Sequence, residues 1–232
     1  MAALVAVGAV LAAGAWLYRS PLLSVDRVEV VGASHLSEDR VREIAAVPAG
    51  VTVLSVRNSE IEERLRAEPW IAEARVRRRP PHTVRITVEE RVPAALIDEG
   101  SATLWLVDEE GVVLGERSAE DTSALAVVRD VPGIEAGPGV RLDSDALDNA
   151  LRVLRGMSAE LRAEVRAVSA STVDKTALYT YEDVEIFIGS AEDLERKDLL
   201  ARRILEEQRG KVVYINVRTV DRPTWRGLET GG

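Results

Sequence analysis

Residues 79–94 of the chain, RPPHTVRITVEERVPA, contain the segment that decides the fold. After the Pro80-Pro81 break, Val84, Ile86 and Val88 alternate with polar and charged residues. This period of two places the apolar side chains on one face of an extended segment. The pattern predicts a half-buried β-strand over His82–Val92.

The elements before this strand predict a small layered domain. Val25–Val31 has strand alternation, and Ser37 has the residue type that caps a helix N-terminus. A second helix is predicted from Asn58 or Ser59, and a strand from Ile71 to Arg79. The order β-α-α-β-β puts two helices on one face of a three-stranded sheet. We therefore predict an α+β domain over residues 25–93.

After Pro93 the sequence predicts a second, β-rich domain with flanking helices over residues 94–222. It predicts a hairpin whose turn ends at Gly111, a helix capped within Asp143–Asp145 and a helix capped by Ser190. The segment Leu161–Ser171 is compatible with helix or strand. Further strands are predicted at Ala94–Ile97, Leu104–Val107, Val112–Leu114, Leu125–Val128, Ala177–Tyr181, Val184–Ile188 and Val212 to about Val220, followed by a mobile tail over residues 223–232.

The N-terminal residues predict a membrane anchor. Ala2–Tyr18 contains no charged residue, and a helix of this length spans about 26 Å. A cleaved signal peptide is the alternative, since Ala13-Gly14-Ala15 has small residues at cleavage spacing. We prefer an anchor over residues 1–19 and a linker over 20–24. The residues expected to contact lipid include Leu4, Val7, Leu11, Trp16 and Leu17.

Composition excludes several classes of function. The 232 residues carry a formal net charge of -9, which disfavours a nucleic-acid-binding protein. The chain has no cysteine, so disulfides, thiolate catalysis and cysteine metal sites are excluded. His35 and His82 lack further ligands at matched spacing, and we predict neither a metal nor a cofactor. No nucleophile motif or phosphate-binding glycine loop is present.

A cluster of arginines stands out in this acidic chain. It comprises Arg75, Arg77, Arg78, Arg79 and Arg85. One interpretation is contact with anionic lipid or an acidic partner near the membrane. A solvated strand face is the simpler interpretation, and the sequence alone favours it.

Three groups of residues resemble one protein family. The first group is VEVVG at 28–32, PWIAEARV at 69–76 and the opening segment at 79–94; these resemble the POTRA domain of the FtsQ/DivIB family. WLVD at 105–108 with GVV at 111–113 resembles the first hairpin of the family's second, β-rich domain. VEIFIG at 184–189, Lys197 and YINVR at 214–218 resemble its C-terminal part.

The resemblance implies a function in bacterial cell division. Proteins of this family are single-pass scaffolds of the division septum with extracytoplasmic C-terminal domains and no catalytic activity. They bind two other bitopic division proteins, FtsB/DivIC and FtsL, and help to control septal peptidoglycan synthesis. An exported cell-wall enzyme and a POTRA-bearing secretion component are the alternatives.

The resemblance also points to a binding site, because the family's partner adds a strand to the last strand of the β domain. Edge strands have unpaired backbone groups that another strand can pair with. We therefore predict partner binding at Tyr214, Ile215, Asn216, Val217, Arg218, Thr219, Val220 and Asp221. The alternative is an ordinary core strand whose edge is covered.

Overall fold

The computed structural model describes residues 6–9, 14, 21–100, 103–118 and 125–228. It divides the chain into two compact units, Met1–Arg91 (unit 1) and Val92–Gly232 (unit 2). Both units mix helices and strands, so the predicted α+β class is confirmed for them. Of the anchor residues, Leu4, Leu11, Trp16 and Leu17 lie outside the described residues, whereas Val7 is helical and exposed. None of the described helices combines the length and apolarity that a membrane crossing requires.

Unit 1 has the predicted order of elements. These are β1 (Arg27–Val31), α1 (Glu38–Ala45), α2 (Asn58–Arg66), β2 (Ile71–Arg79) and β3 (Thr83–Glu90). The central strand β3 pairs with β1 in parallel and with β2 in antiparallel orientation. The parallel pair is formed across the two helices, as in other crossover connections.

Unit 1 is held together by one apolar layer between its helices and its sheet. Val84, Ile86 and Val88 of β3 are buried, which confirms the predicted alternation. Val41 of α1 and Leu65 of α2 are buried against the same cluster.

Side-chain and backbone caps fix where the elements of unit 1 begin and end. Ser37 caps α1 as predicted, because its side chain accepts a hydrogen bond from the Arg40 N–H. At the end of β3, Glu90 accepts hydrogen bonds from the N–H groups of Ser34, His35 and Leu36. This carboxylate attaches the turn after β1 to the end of the sheet.

Unit 2 is built on one nine-stranded sheet. Its elements are β4 (Pro93–Asp98), β5 (Thr103–Asp108), β6 (Val113–Ser118), β7 (Val127–Arg129), α3 (Asp145–Gly156), α4 (Ala159–Glu164), β8 (Val165–Ser169), β9 (Ala177–Thr180), β10 (Glu185–Phe187), α5 (Leu194–Glu207), β11 (Val212–Asn216) and β12 (Thr224–Gly227). The strand order is β12-β11-β10-β9-β8-β7-β4-β5-β6. Helices α3, α4 and α5 contribute Leu147, Leu161 and Ala201 to its buried core.

The predicted β5–β6 hairpin is confirmed. Gly111 in its turn has φ +78°, the left-handed conformation that favours glycine. The Asp108 carboxylate accepts hydrogen bonds from the N–H groups of Glu110 and Val112, at 2.9 and 2.8 Å. These bonds fix the turn and leave the Asp108 side chain buried.

Three sequence-based predictions in unit 2 are resolved or corrected. Leu161–Ser171 contains both structures, because α4 ends at Glu164 and β8 begins at Val165. Among the predicted cap residues Asp143–Asp145, Ser144 caps α3, and its side chain accepts a hydrogen bond from the Leu147 N–H. Ser190 does not cap α5, which begins at Leu194 after Asp193. The Ser190 carbonyl instead accepts a hydrogen bond from Lys197 Nζ at 2.7 Å.

Candidate partner-binding site

The predicted binding residues lie one strand inside the edge of the sheet. Strand β11 pairs with β10 in parallel on one side and with β12 in antiparallel orientation on the other. The prediction of a strand to about Val220 is wrong at its C-terminal end, because β11 ends at Asn216. Only Tyr214, Ile215 and Asn216 of the predicted residues therefore belong to a strand.

The predicted residues divide into a buried and an exposed group. Ile215 and Val217 are fully buried, and the Val217 N–H donates to the Phe187 carbonyl at 3.0 Å. The remaining residues are partly buried or exposed: Tyr214, Asn216, Arg218, Thr219, Val220 and Asp221.

Local contacts shape the connection that follows β11. Asn216 Oδ1 accepts from the Arg218 N–H at 3.1 Å, which turns the chain away from the sheet direction. The Arg218 guanidinium lies 4.6 Å from the centre of the Phe187 ring, and Asp221 forms an ion pair with Arg196 at 3.3 Å. These residues stabilise a connection that brings the chain back along β11.

The returning chain forms β12, so Thr224–Gly227 is a strand and not part of the mobile tail predicted over residues 223–232. Ile215 faces Trp225, Tyr214 faces Arg226 and Asn216 faces Thr224. The segment is short, polar and preceded by Pro223, so strand periodicity was absent. The adjacent β-forming residues Thr224 and Trp225 were the available signal.

Strand β12 is the end of the nine-stranded sheet and directs backbone groups outward. The Leu228 N–H donates to the Lys211 carbonyl at 2.7 Å, so this amide faces β11. Since amides alternate in direction along an antiparallel strand, those of Thr224 and Arg226 also face β11. The backbone groups of Trp225 and Gly227 therefore face away from it. Within the described residues, no side chain is bonded to these outward groups.

The side chain of Trp225 gives this edge an apolar anchor. It lies opposite Ile215, which is fully buried, so it extends the apolar face of the sheet beyond β11. Trp225 is nevertheless 46% exposed. On the other face, the Arg226 guanidinium lies 4.8 Å from the centre of the Tyr214 ring. A strand added to β12 would find unpaired backbone groups and an exposed indole together.

Unit 1 also has two edge strands, and helix side chains are bonded to one residue of each. The Val76 N–H of β2 donates to Glu62 at 2.7 Å, and the Val76 carbonyl accepts from Asn58 Nδ2 at 2.8 Å. The Val28 carbonyl of β1 accepts from Arg42 Nε at 3.2 Å. These contacts satisfy backbone groups that an added strand would need.

Two titratable side chains with shifted pKa values, Lys197 and Glu90, have hydrogen-bond partners in the structure. Burial lowers the pKa of Lys197, opposed by the charges of Asp193 and Glu192, and Lys197 Nζ is bonded to a carbonyl. Partial burial acts to raise the pKa of Glu90, but the three backbone N–H groups it accepts from lower it overall. Among the described residues, no group of three or more His, Asp or Glu side chains is placed to hold a metal ion.

The predicted arginine cluster and histidines fall into different environments. Arg78 donates to the Val56 carbonyl at 2.6 Å, and Arg85 pairs with Glu29 at 2.8 Å. His35 stacks on Trp70 with ring centres 3.5 Å apart, and His82 Nδ1 lies 3.1 Å from the Ser24 carbonyl. Both histidines thus have structural contacts.

Comparison with known proteins identifies the family. The FtsQ-type POTRA domain model matches residues 23–91, and the C-terminal domain model of cell division protein FtsQ/DivIB matches residues 95–220. Cell division protein FtsQ of Anaeromyxobacter sp. (strain K) is 30% identical over 223 residues, which cover 93% of this chain and 74% of the relative. The protein of the same name from Streptomyces venezuelae is 33% identical over 197 residues, covering 82% and 71%. The chain therefore belongs to the FtsQ/DivIB family of cell division proteins.

Proposed function

We propose that this protein is a membrane-anchored scaffold of the division septum. It binds bitopic division proteins of the FtsB/DivIC and FtsL type and links them to septal peptidoglycan synthesis, without catalytic activity of its own. Its N-terminal segment, including Leu4, Val7, Leu11, Trp16 and Leu17, spans the cell membrane once. Both units are extracytoplasmic.

The observation that supports the binding proposal is the outer edge of β12. A partner strand pairs with the outward backbone groups of Trp225 and Gly227, and its side chains cover the Trp225 indole. Strand addition derives affinity from main-chain hydrogen bonds, and an exposed tryptophan is the residue type that most often dominates binding energy. The partner strand thus becomes the tenth strand of the sheet.

The residues predicted from the sequence have a supporting role in this proposal. Tyr214, Ile215 and Asn216 hold β12 in register, while Val217, Arg218, Thr219, Val220 and Asp221 form the connection that returns the chain to the edge. The alternative is that the partner displaces β12 and pairs directly with β11. In the first mode β12 stays paired with β11, and in the second mode it leaves the sheet.

Paired substitutions separate the main-chain contribution from that of the side chain. Trp225→Ala removes the indole, and we expect it to weaken binding to the ectodomain of an FtsB/DivIC-type partner by about 2 kcal/mol. Trp225→Pro also removes the outward N–H and should weaken binding further, by about 1 kcal/mol. Equal affinities of the two variants in a titration would contradict strand addition at this edge.

Deletion of residues 224–228 distinguishes the two modes. If the partner pairs with β12, the deletion abolishes binding. If the partner displaces β12, the truncated chain binds as well as the complete one or better, since no strand must be displaced. Circular dichroism of the deletion variant checks that unit 2 remains folded.

Location in the cell tests the scaffold proposal as a whole. A fluorescent fusion should form a band at the septum, and Trp225→Pro should prevent recruitment of the partner to that band. Uniform membrane fluorescence, in cells where another septal protein forms its band, would contradict the division role. Val7→Glu with Leu11→Glu should abolish membrane retention if the anchor is correct.

A further inference from the structure

The face of the unit 1 sheet opposite its helices has an uneven distribution of charge. The strand register aligns its side chains in four rows. From one end to the other these rows are Arg27–Thr83–Arg79, Glu29–Arg85–Arg77, Val31–Thr87–Arg75 and Glu89–Glu73. The formal charges of the rows are therefore +2, +1, +1 and -2. The face is positive at one end and negative at the other.

Three arginines at the positive end have no carboxylate partner in the described part of the chain. They are Arg27, Arg77 and Arg79, and all three are exposed. The other cations of the face are paired, Arg85 with Glu29 and Arg75 with Glu73, each at 2.8 Å. We name Arg27, Arg77 and Arg79 the basic end.

A carboxylate also lies near this end, and it has contacts of its own. Asp26 accepts a hydrogen bond from the Ser24 hydroxyl and lies 3.5 Å from His82 Nδ1. It precedes Arg27 directly in the chain and reduces the local positive charge by one. The basic end keeps an excess of two positive charges.

The basic end also lies where the chain enters the sheet of unit 1. Ser24 forms a bridge with Thr52, and the N–H groups of Asp26 and Arg27 donate to the His82 carbonyl. The apolar segment Ala2–Tyr18 ends six residues before Ser24. Six residues span at most about 22 Å even when fully extended. The basic end is thus tethered close to the apolar segment.

We infer that the basic end contacts the anionic phospholipid headgroups of the membrane that holds the N-terminal segment. The inference rests on the anchor in the proposed function, which places a bilayer within reach of this end. Headgroup phosphates supply the charges that the three arginines lack, and the negative end, with Glu73 and Glu89, faces away from the bilayer. This contact fixes the orientation of unit 1 relative to the membrane.

An acidic protein is the other class of ligand that such a patch could bind. The bilayer is favoured by position, because the charge excess is greatest at the tethered end and reverses at the far end. Free binding of an acidic protein would not require this alignment. A comparison of lipid compositions in the absence of any partner protein separates the two ligands.

The absence of cysteine permits a direct measurement on the full chain. A nitroxide attached to Thr83→Cys lies between Arg27 and Arg79, and one attached to Glu43→Cys on α1 is the control position. Each labelled chain is reconstituted into vesicles of phosphatidylcholine alone or with added phosphatidylglycerol. The signal is relaxation of the nitroxide by a nickel chelate attached to the lipid headgroups.

We expect relaxation at Thr83→Cys to increase with phosphatidylglycerol, to decrease in high salt and to exceed that at Glu43→Cys. The triple variant Arg27→Gln, Arg77→Gln, Arg79→Gln should lose the lipid dependence, since each arginine strengthens surface binding about fivefold and three strengthen it on the order of 100-fold. The matched triple Arg40→Gln, Arg57→Gln, Arg66→Gln removes three charges from around the helices and should retain it.

Equal relaxation in the two vesicle types, or a lipid dependence that survives in the Arg27, Arg77, Arg79 triple, would overturn the inference. Flotation with phosphatidylcholine vesicles tests the anchor separately. A chain that fails to float with neutral vesicles, but binds anionic ones through the basic end, refutes the anchor and supports the lipid contact. A chain that floats with neutral and with anionic vesicles, but whose nitroxide relaxation does not depend on lipid composition, supports the anchor and refutes the lipid contact.

Discussion

The edge strands of unit 1 and strand β12 of unit 2 differ in the side chains bonded to their backbone groups. In unit 1, the N–H and carbonyl of Val76 form hydrogen bonds with Glu62 and Asn58, respectively. The Val28 carbonyl accepts a hydrogen bond from Arg42. In unit 2, β12 ends the sheet, and no described side chain is bonded to the outward groups of Trp225 and Gly227. Because an unprotected edge invites unintended pairing, proteins usually cover it. This difference supports the proposal that a partner strand pairs with the β12 edge.

The two contacts at the β2 edge of unit 1 come from a single helix. Helix α2 runs beside β2, so its side chains at positions 58 and 62, one helical turn apart, both reach Val76. Unit 2 has no helix side chain bonded at β12 within the described residues. The comparison therefore predicts that mutations in unit 1 change stability and leave binding intact, whereas loss of the Trp225 indole or of the outward β12 backbone groups changes binding.

The largest expected effect is a loss of stability of unit 1 that leaves the β12 edge unchanged. Gly32 has φ +93°, and a Cβ at this position would lie 2.1 Å from the Val88 carbonyl oxygen. We expect Gly32→Ala to lower the free energy of unfolding of unit 1 by about 4 kcal/mol, as judged by thermal unfolding. Partner affinity should stay unchanged.

Gly50→Ala is the matched control for strain alone. Gly50 also has a positive φ, but a Cβ there would meet no atom within 4 Å. Its cost should be about 1 kcal/mol. Loss of partner binding in Gly32→Ala would mean that unit 1 contributes to the binding site.

The next effect comes from removing the side chains that are bonded to the β2 edge. Asn58→Ala with Glu62→Ala leaves the N–H and carbonyl of Val76 without their side-chain partners. We expect a loss of about 2 kcal/mol in stability and new self-association through β2, measured by denaturation and sedimentation. Glu63→Ala, one residue away on the exposed side of α2, should change neither. A monomeric double variant would show that the edge is closed by other means.

A smaller effect concerns the pH dependence of unit 1. Hydrogen bonds from three N–H groups hold the pKa of Glu90 below its usual 4.5 despite partial burial. A lowered pKa stabilises the folded state above pH 4.5, and this contribution is lost as pH falls through the folded pKa. Glu90→Gln should cost about 1–2 kcal/mol at neutral pH. Its loss of stability on acidification should also be smaller than that of the natural chain, and equal acid sensitivity would contradict this account.

The smallest effect concerns how β12 is held. Arg226→Ala removes the cation–π contact with Tyr214, whose ring centre is 4.8 Å away. Such exposed contacts contribute about 0.5–1 kcal/mol, which denaturation of unit 2 can detect. Arg222→Ala in the preceding connection is the control and should have no effect. A loss well above 1 kcal/mol would indicate that β12 depends on more than its backbone pairing.

The sequence predicted the regular parts of the fold well. Alternation at Val84, Ile86 and Val88 and the cap at Ser37 are local signals, and both are confirmed. The turn glycine at position 111 is confirmed for the same reason, since its left-handed conformation depends on the turn itself.

The candidate site was harder to predict because it depends on long-range pairing. Tyr214–Asn216 has strand periodicity, but nothing in those residues shows which strand lies beside them. The four residues of β12 are stabilised by β11 rather than by their own pattern, so Thr224–Gly227 was assigned to a tail. The predicted N-cap of α5 at Ser190 was also wrong. The helix begins at Leu194, and the Ser190 carbonyl accepts a hydrogen bond from the Lys197 side chain.

Amide hydrogen exchange with and without the partner ectodomain tests the central claim most directly. If a partner strand pairs with β12, exchange of the Trp225 and Gly227 amides slows on binding. The amides of Thr224 and Arg226 stay protected as before, and Val76 in unit 1 is unaffected. Faster exchange at Thr224 and Arg226 would show that β12 is displaced. New protection along β2, with none at Trp225, would place the partner on unit 1 and contradict the account.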